Sequence, residues 1–307
     1  MKKTIIGNRT GKSSYLNLYM KTRMGDLAGC RALMCSWRRQ HPERRLYIFY
    51  NPFDPLAEYS RNIPIEWVFQ GVADEVWIQD SPHEPIFLPG DETYDIFHGH
   101  KKNYMHLWAG WREHMKHPDP DTPIMPPQRI LERGEQIKKE YEIPERFVVI
   151  QALFEAGYHQ YRNAPKAWWS AVAEAVAQLG IPVALIGPTK YMQDVRVPGG
   201  VYPVFRTLPN PFEAMGLIAK ASVFVGGETG LPLWAGVFKV PVVATFRGWQ
   251  LKNENSKDCK NLEYRPISFG APVVYTPLEG SVVQAAQTIK GVFTGSITTS
   301  TPTGYNP

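Results

Sequence analysis

"SVFVGGETGLPLWAGVFKVPVVATF", residues 222–246, decides the fold. An apolar run ends at Gly226-Gly227, a helical pattern opens after Thr229-Gly230, and a second apolar run spans residues 240–246. A helix between two such runs is a β–α–β unit, which needs a parallel sheet covered on both faces. Ligands of these sheets bind beyond the carboxyl ends of the strands. There a Thr-Gly step at a helix start presents free backbone N–H groups and the positive end of the helix dipole, which suits a phosphate. Glu228 would repel phosphate but can accept hydrogen bonds from the hydroxyls of a sugar or ribose. An ordinary strand-to-helix turn capped by Thr229 fits the same residues. The stretch by itself leaves both readings open.

Outward from this unit the alternation continues. "RFVVIQAL" (146–153) and "IPVALIGPT" (181–189) read as buried strands. "PQRILERGEQIKKEYEI" (127–143), "PFEAMGLIAKA" (211–221) and "EGSVVQAAQTIKGVF" (279–293) read as helices. So does "PKAWWSAVAEAVAQLG" (165–180), with Gly180 as its C-terminal cap. In the first third, "YLNLYMK" (15–21) and "RRLYIFYNP" (44–52) are strands around the helix "DLAGCRALMCSWRRQHP" (26–42). "EWVFQGVADEVWIQD" (66–80) predicts another strand or two with a turn between, and residues 95–115 predict a helix carrying His and Trp. "HPDPDTPIMPPQ" (117–128), with five prolines, is a stiff connector. The expected organisation is a Rossmann-like domain over 1–120, a second over 121–291, and a disordered tail over 292–307. Two such domains facing one another would bind ligand in the cleft between them.

Composition bounds the class. The chain has 307 residues, 43% hydrophobic and 21% charged, as in a globular protein. No apolar run reaches the length of a membrane span, and the start lacks the apolar stretch of a signal peptide. Three cysteines, Cys30, Cys35 and Cys259, form no disulfide framework, and a cytoplasmic setting is expected. A net charge of +5 permits anionic partners.

Three local patterns need weighing. "GNRTGKSS" (7–14) is one residue short of a phosphate-binding P-loop, so it predicts a tight reversal between a short strand and "YLNLYMK". Five arginines in residues 31–45 read as a solvated helix face or as a patch for a phosphate-rich acceptor such as nucleic acid. His98, His100 and His106 have no standard metal-ligand spacing, and Asp119-Pro120-Asp121 lies in a proline connector that cannot hold two carboxylates on one ion. No metal site is expected.

The segment 222–246 resembles the "D-T-G-P-x-H-L-A-x-A-x-x-x-P-x-V-x-x-F" signature of the heptosyltransferase-type glycosyltransferases, family 9, with a GT-B fold. "KTRMGDLAGCRALMCSWRRQHPERRLYIFYNP" (21–52) resembles their opening, and residues 147–189 resemble their strand, loop, Lys-x-Trp helix and strand ending in Gly. The resemblance covers most of residues 15–290 in order. It implies a two-domain α/β GT-B fold and inverting transfer of a sugar from a nucleotide-sugar donor to an acceptor hydroxyl. The acceptor would be a lipopolysaccharide-type glycan or a modified nucleic-acid base. The donor is a substrate, so no cofactor is implied. By position, Asp26 matches the catalytic base, and Lys166 the lysine that reaches the donor phosphates. Thr229 and Gly230 match the phosphate turn, Glu228 stands where the family has Asp, and Gly187 lies near the nucleoside. Arg23, His98 and His100 are acceptor-side candidates. Two departures put the donor sugar in question: Trp234 replaces the signature's His, and the order is Thr-Gly-Leu-Pro. A non-catalytic nucleotide-sugar or glycan-binding module with the same fold is the competing expectation.

Overall fold

The computed structural model describes residues 2–9, 13–18, 24–50, 52–53, 62–80, 92–95, 123–152, 164–193, 195–208, 210–227, 229–246, 273–277 and 280–297. The chain divides into two compact units, residues 1–122 and 123–307.

The first unit contains β1 (Lys2–Ile5), β2 (Ser13–Leu18), α1 (Met24–Gln40), β3 (Arg45–Tyr50), α2 (Ile65–Val68), β4 (Glu75–Ile78) and β5 (Glu92–Asp95). Its sheet has the order β1-β4-β3-β2-β5. The pairs β2–β3, β3–β4 and β2–β5 are parallel, and β1 runs antiparallel to β4 at one edge. Helix α1 forms because Leu27, Cys30, Met34 and Trp37 recur at helical spacing and are all buried. In β3 consecutive residues Leu46 to Tyr50 are buried, so both faces of the strand are covered.

Two expectations need correction here. β1 and β2 are not the two arms of a tight reversal, because β4 and β3 lie between them in the sheet. Instead the N–H groups of Ile6 and Gly7 donate to the Asp74 carbonyl at 2.8 and 3.0 Å. Gly7 is required by this close approach: a Cβ there would lie 2.6 Å from Asp74 Oδ1. The apolar stretch around Trp67 is the short helix α2 rather than a strand. Pro64 stands at its N-cap, and Gly71, at φ 76°, turns the chain out of it.

The second unit contains α3 (Gln128–Glu140), β6 (Val148–Gln151), α4 (Lys166–Gln178), β7 (Val183–Ile186), α5 (Thr189–Met192), β8 (Val201–Tyr202), a 3₁₀ turn (Val204–Arg206) and α6 (Pro211–Ile218). It continues with β9 (Val223–Gly226), α7 (Gly230–Val237), β10 (Val242–Phe246), β11 (Val273–Pro277) and α8 (Val282–Thr294). Its six strands are parallel throughout, in the order β11-β10-β9-β6-β7-β8. Val148, Ile150, Val183, Leu185, Val223 and Val225 share one core with α4 and α8. The alternate residues Val149, Ala184 and Phe224 are equally buried on the opposite face. Helices α3 and α6 cross so closely that a Cβ on Gly216 would meet the Ile130 carbonyl, and one on Gly134 the Gly216 backbone at 2.5 Å. Helix α8 runs through Thr294, past the expected start of the tail. Gly295, left-handed at φ 74°, ends it, and the Ile297 N–H returns to the Gly291 carbonyl.

Candidate functional site

The order of strands sets where a ligand can lie. In the second unit β6, β7 and β8 build outward in one direction, and β9, β10 and β11 in the other. The reversal falls between the paired strands β6 and β9. At such a point the loops leaving the two carboxyl ends diverge and open a crevice.

Four of the residues singled out from the sequence sit at this end of the sheet. Gly187 directly follows β7. Lys166, half-buried, is the first residue of α4. A cation at that end opposes the helix dipole, and the first turn of α4 holds no acid to offset it. Thr229 and Gly230 follow β9 and start α7.

Thr229 occupies the N-cap position of α7, yet its side chain makes no capping hydrogen bond. Its hydroxyl donates instead to Gln151 Oε1 at 2.7 Å, and its own N–H goes to the Gly227 carbonyl at 2.8 Å. Among the described residues none accepts from the N–H of Gly230 or Leu231. Pro232 follows at the third helical position, where its missing N–H would have been unpaired in any case. The displaced proline therefore leaves two adjacent amides aimed out of the helix. An oxyanion could accept from both.

Trp234 does not take part. It is fully buried in α7, with its ring 5.9 Å from that of Phe238, so it packs the core and presents no face to a sugar.

In the first unit the order reverses between β2 and β5. Asp26 is the third residue of α1, the helix that follows β2, and so lies at the carboxyl end of that strand. It is inside the first helical turn rather than at its cap. Arg23, Glu228, His98 and His100 lie outside the described residues, as do His106 and the Asp119–Asp121 pair.

In the arginine-rich stretch Arg39 is exposed, but Arg31, Arg38 and Arg45 are turned to internal contacts. Arg31 is buried and donates to the carbonyls of Val68 and Gln70, at 2.6 and 3.2 Å. Arg38 is buried and donates to the Val72 carbonyl at 2.9 and 2.7 Å and to Asp74 Oδ2 at 3.0 Å. Arg45 pairs with Glu75 at 2.9 Å. These arginines tie α1 and β3 to residues 68–75. Burial pushes both the Arg31 and the Arg38 guanidinium down from the usual arginine range.

Asp74 is the centre of that knot. Oδ1 accepts from the Arg9 N–H and guanidinium at 3.2 and 3.1 Å, and Oδ2 from Arg38 and the Leu46 N–H at 3.0 and 2.9 Å. Burial raises its pKa, but the Leu46 and Arg9 N–H groups and the two guanidinium groups outweigh it, and the net shift is downward. The P-loop-like segment is thus partly explained: Gly7 and Arg9 serve this carboxylate.

No protein-family model and no curated protein sequence matches the chain. Solved structures do. The chain is similar to a glycosyl transferase family 9 protein of Veillonella parvula DSM 2008, at 9% identity and a TM-score of 0.57, over 94% of this chain and 90% of that one. It is also similar to the ADP-heptose lipopolysaccharide heptosyltransferase II of E. coli, at 10% identity and a TM-score of 0.58, over 93% and 99%. The chain has a GT-B fold. The parallel α/β architecture expected from the sequence is present, with β1 as the one antiparallel strand among the described elements. Among the described residues no helix is long and apolar enough to cross a membrane.

Of the residues this geometry brings together, the sequence reading missed Gln151. The available signal was a polar residue ending the otherwise apolar strand "FVVIQ".

Proposed function

We propose that the chain is a glycosyltransferase that moves a sugar from a nucleotide-sugar donor to an acceptor hydroxyl. The observation that carries this reading is the Thr229–Leu231 turn at the β6–β9 reversal, with two amides that find no acceptor among the described residues and with Lys166 at the same end of the sheet. In this reading the amides and Lys166 hold the donor diphosphate and stabilise the charge that develops as it leaves. Glu228 takes hydroxyls of the ribose or sugar, and Gly187 lies by the nucleoside. Asp26 removes the acceptor proton as the oxygen attacks the anomeric carbon, because a free hydroxyl is a poor nucleophile at neutral pH. A single displacement of this kind inverts the anomeric centre, and no metal or cofactor is called for. Arg23, His98 and His100 are assigned to the acceptor side.

The acceptor we favour is a glycan. The case for nucleic acid rested on the arginine-rich helix and the altered signature, and of that helix Arg31 and Arg38 are committed to internal contacts. Trp234 cannot stand in for the signature's His, so ADP-heptose is one candidate donor among several.

Thermal shift with ADP-, UDP- and GDP-sugars and the free diphosphates tests the reading. Stabilisation by one nucleotide family is expected. With that donor, Asp26→Asn should leave donor affinity nearly unchanged and lower turnover by about 10²–10⁴-fold, the usual contribution of a positioned base. Donor binding without turnover in the wild-type chain would identify a binding module. No stabilisation by any diphosphate would end the donor-site assignment.

A further inference from the structure

We infer that Gln151 is a positioning and ligand-contacting residue of the donor diphosphate site, an inference that rests on the function proposed above. Three features lead to it. Gln151 ends β6, whose preceding residues Val148 to Ile150 are fully buried, and is itself only 7% exposed. Its Oε1 accepts the Thr229 hydroxyl at 2.7 Å. Among the described residues none accepts from its Nε2, although a carboxamide nitrogen has two N–H groups to place. Nε2 is not among the fully sealed polar atoms, so this donor is open to whatever lies beyond the strand end. Nitrogen and oxygen share one carbon, so with Oε1 on Thr229 the Nε2 also lies at the start of α7.

The bond to Thr229 has a second consequence. A threonine at an N-cap ordinarily turns its oxygen onto the N–H groups of the first helical turn. Here the hydroxyl is held by Gln151, and the amides of Gly230 and Leu231 have no acceptor among the described residues. Gln151 therefore both clears the turn and adds a donor to it. The strand pairing makes room for this. Gly226 lies beside Gln151 across the β6–β9 pair, and a Cβ there would stand 3.4 Å from the Gln151 Cβ and 2.9 Å from the Phe224 ring. The ligand chemistry that fits a set of neutral donors with a lysine at the same sheet end is a diphosphate rather than a neutral sugar.

Calorimetry of the full chain with the nucleoside diphosphate selected above, and with inorganic pyrophosphate, tests this at pH 8 and pH 5.5. Gln151→Met, near the same size without donors or acceptors, should lose at least about tenfold in diphosphate affinity at both pH values. Gln151→Glu still accepts the Thr229 hydroxyl but turns a carboxylate toward the anion. It should lose more at pH 8 and recover at pH 5.5 relative to wild type, because a protonated buried carboxyl again offers a donor. Should Gln151→Met not fold, the pH dependence of Gln151→Glu decides. If both variants bind as wild type does, or if both weaken equally without pH dependence, Gln151 only packs the strand end. In either case the inference falls while the donor site stands. If wild type binds neither probe, the function proposed above fails first.

Discussion

At the scale of single residues, Asp74 shows how a buried charge is made tolerable. It receives four donors from three segments distant in sequence, residue 9, α1 and the start of β3. Each carboxylate oxygen has two of them, and two are charged. Removing the carboxylate leaves Arg38 buried without its counter-ion. Asp74→Ala is therefore expected to lower stability by about 3–5 kcal/mol in urea titration at pH 7, the usual cost of breaking a buried pair. The sign of the pH effect follows from the lowered pKa. A depressed folded-state pKa gives stability that is fully present above the unfolded value, about 3.9, and is lost as pH falls through the folded one. The gap between wild type and Asp74→Ala should hold from pH 7 to about pH 5 and narrow below about pH 4. A gap that widens in acid would contradict the assignment.

At the scale of elements, α3 and α6 are brought into backbone contact by two glycines that face one another. Leaving Gly216 without a side chain lets the Ile130 carbonyl approach where a Cβ would overlap it. Gly216→Ala must separate the helices, and overpacking of this kind costs about 1–3 kcal/mol. A melting temperature within a degree of wild type would mean that the crossing relaxes freely. Long elements of this sort were legible in the sequence. α1, α3, α4 and α8 have helical apolar spacing, and β3, β6, β7, β9 and β10 are apolar runs of strand length. The short or polar elements were not. β5 reads Glu-Thr-Tyr-Asp, β8 has two residues, and β11 follows a long stretch without periodicity. Each is recruited by backbone pairing with a neighbour rather than by its own pattern. The site divides in the same way. Thr229 and Gly230 stand out because a strand end next to a helix start is a local pattern, and Lys166 through the family resemblance. Gln151 does not, because its partner is 78 residues away and meets it only through the β6–β9 pairing. Arg31 and Arg38 of α1 were misread for the same reason: they donate to carbonyls of residues 68–72, invisible from the helix itself.

At the scale of the whole chain, each unit has a reversal of strand order of its own, between β2 and β5 in the first and between β6 and β9 in the second. Asp26 belongs to the first reversal, Thr229 and Gln151 to the second. The division of labour proposed here assigns the nucleotide to residues 123–307 alone, and a ligand reports that assignment without any turnover. Hydrogen exchange of the full chain should be measured with the selected nucleoside diphosphate at about 100 times its Kd, which stabilises the bound form by about 2.7 kcal/mol. The amides of Gly230 and Leu231 should be protected most, since they donate directly to the phosphates. Amides of β6 and β9 that exchange only when the second unit opens should slow by up to about a hundredfold, the same free energy read as a rate. Amides of α1 and β3 should keep their rates, because the nucleotide has no assigned contact there. Protection confined to α1 and β3 would reverse the donor and acceptor sides. Asp26 would then have to be tested as a nucleotide contact, and the open amides of α7 as acceptor contacts.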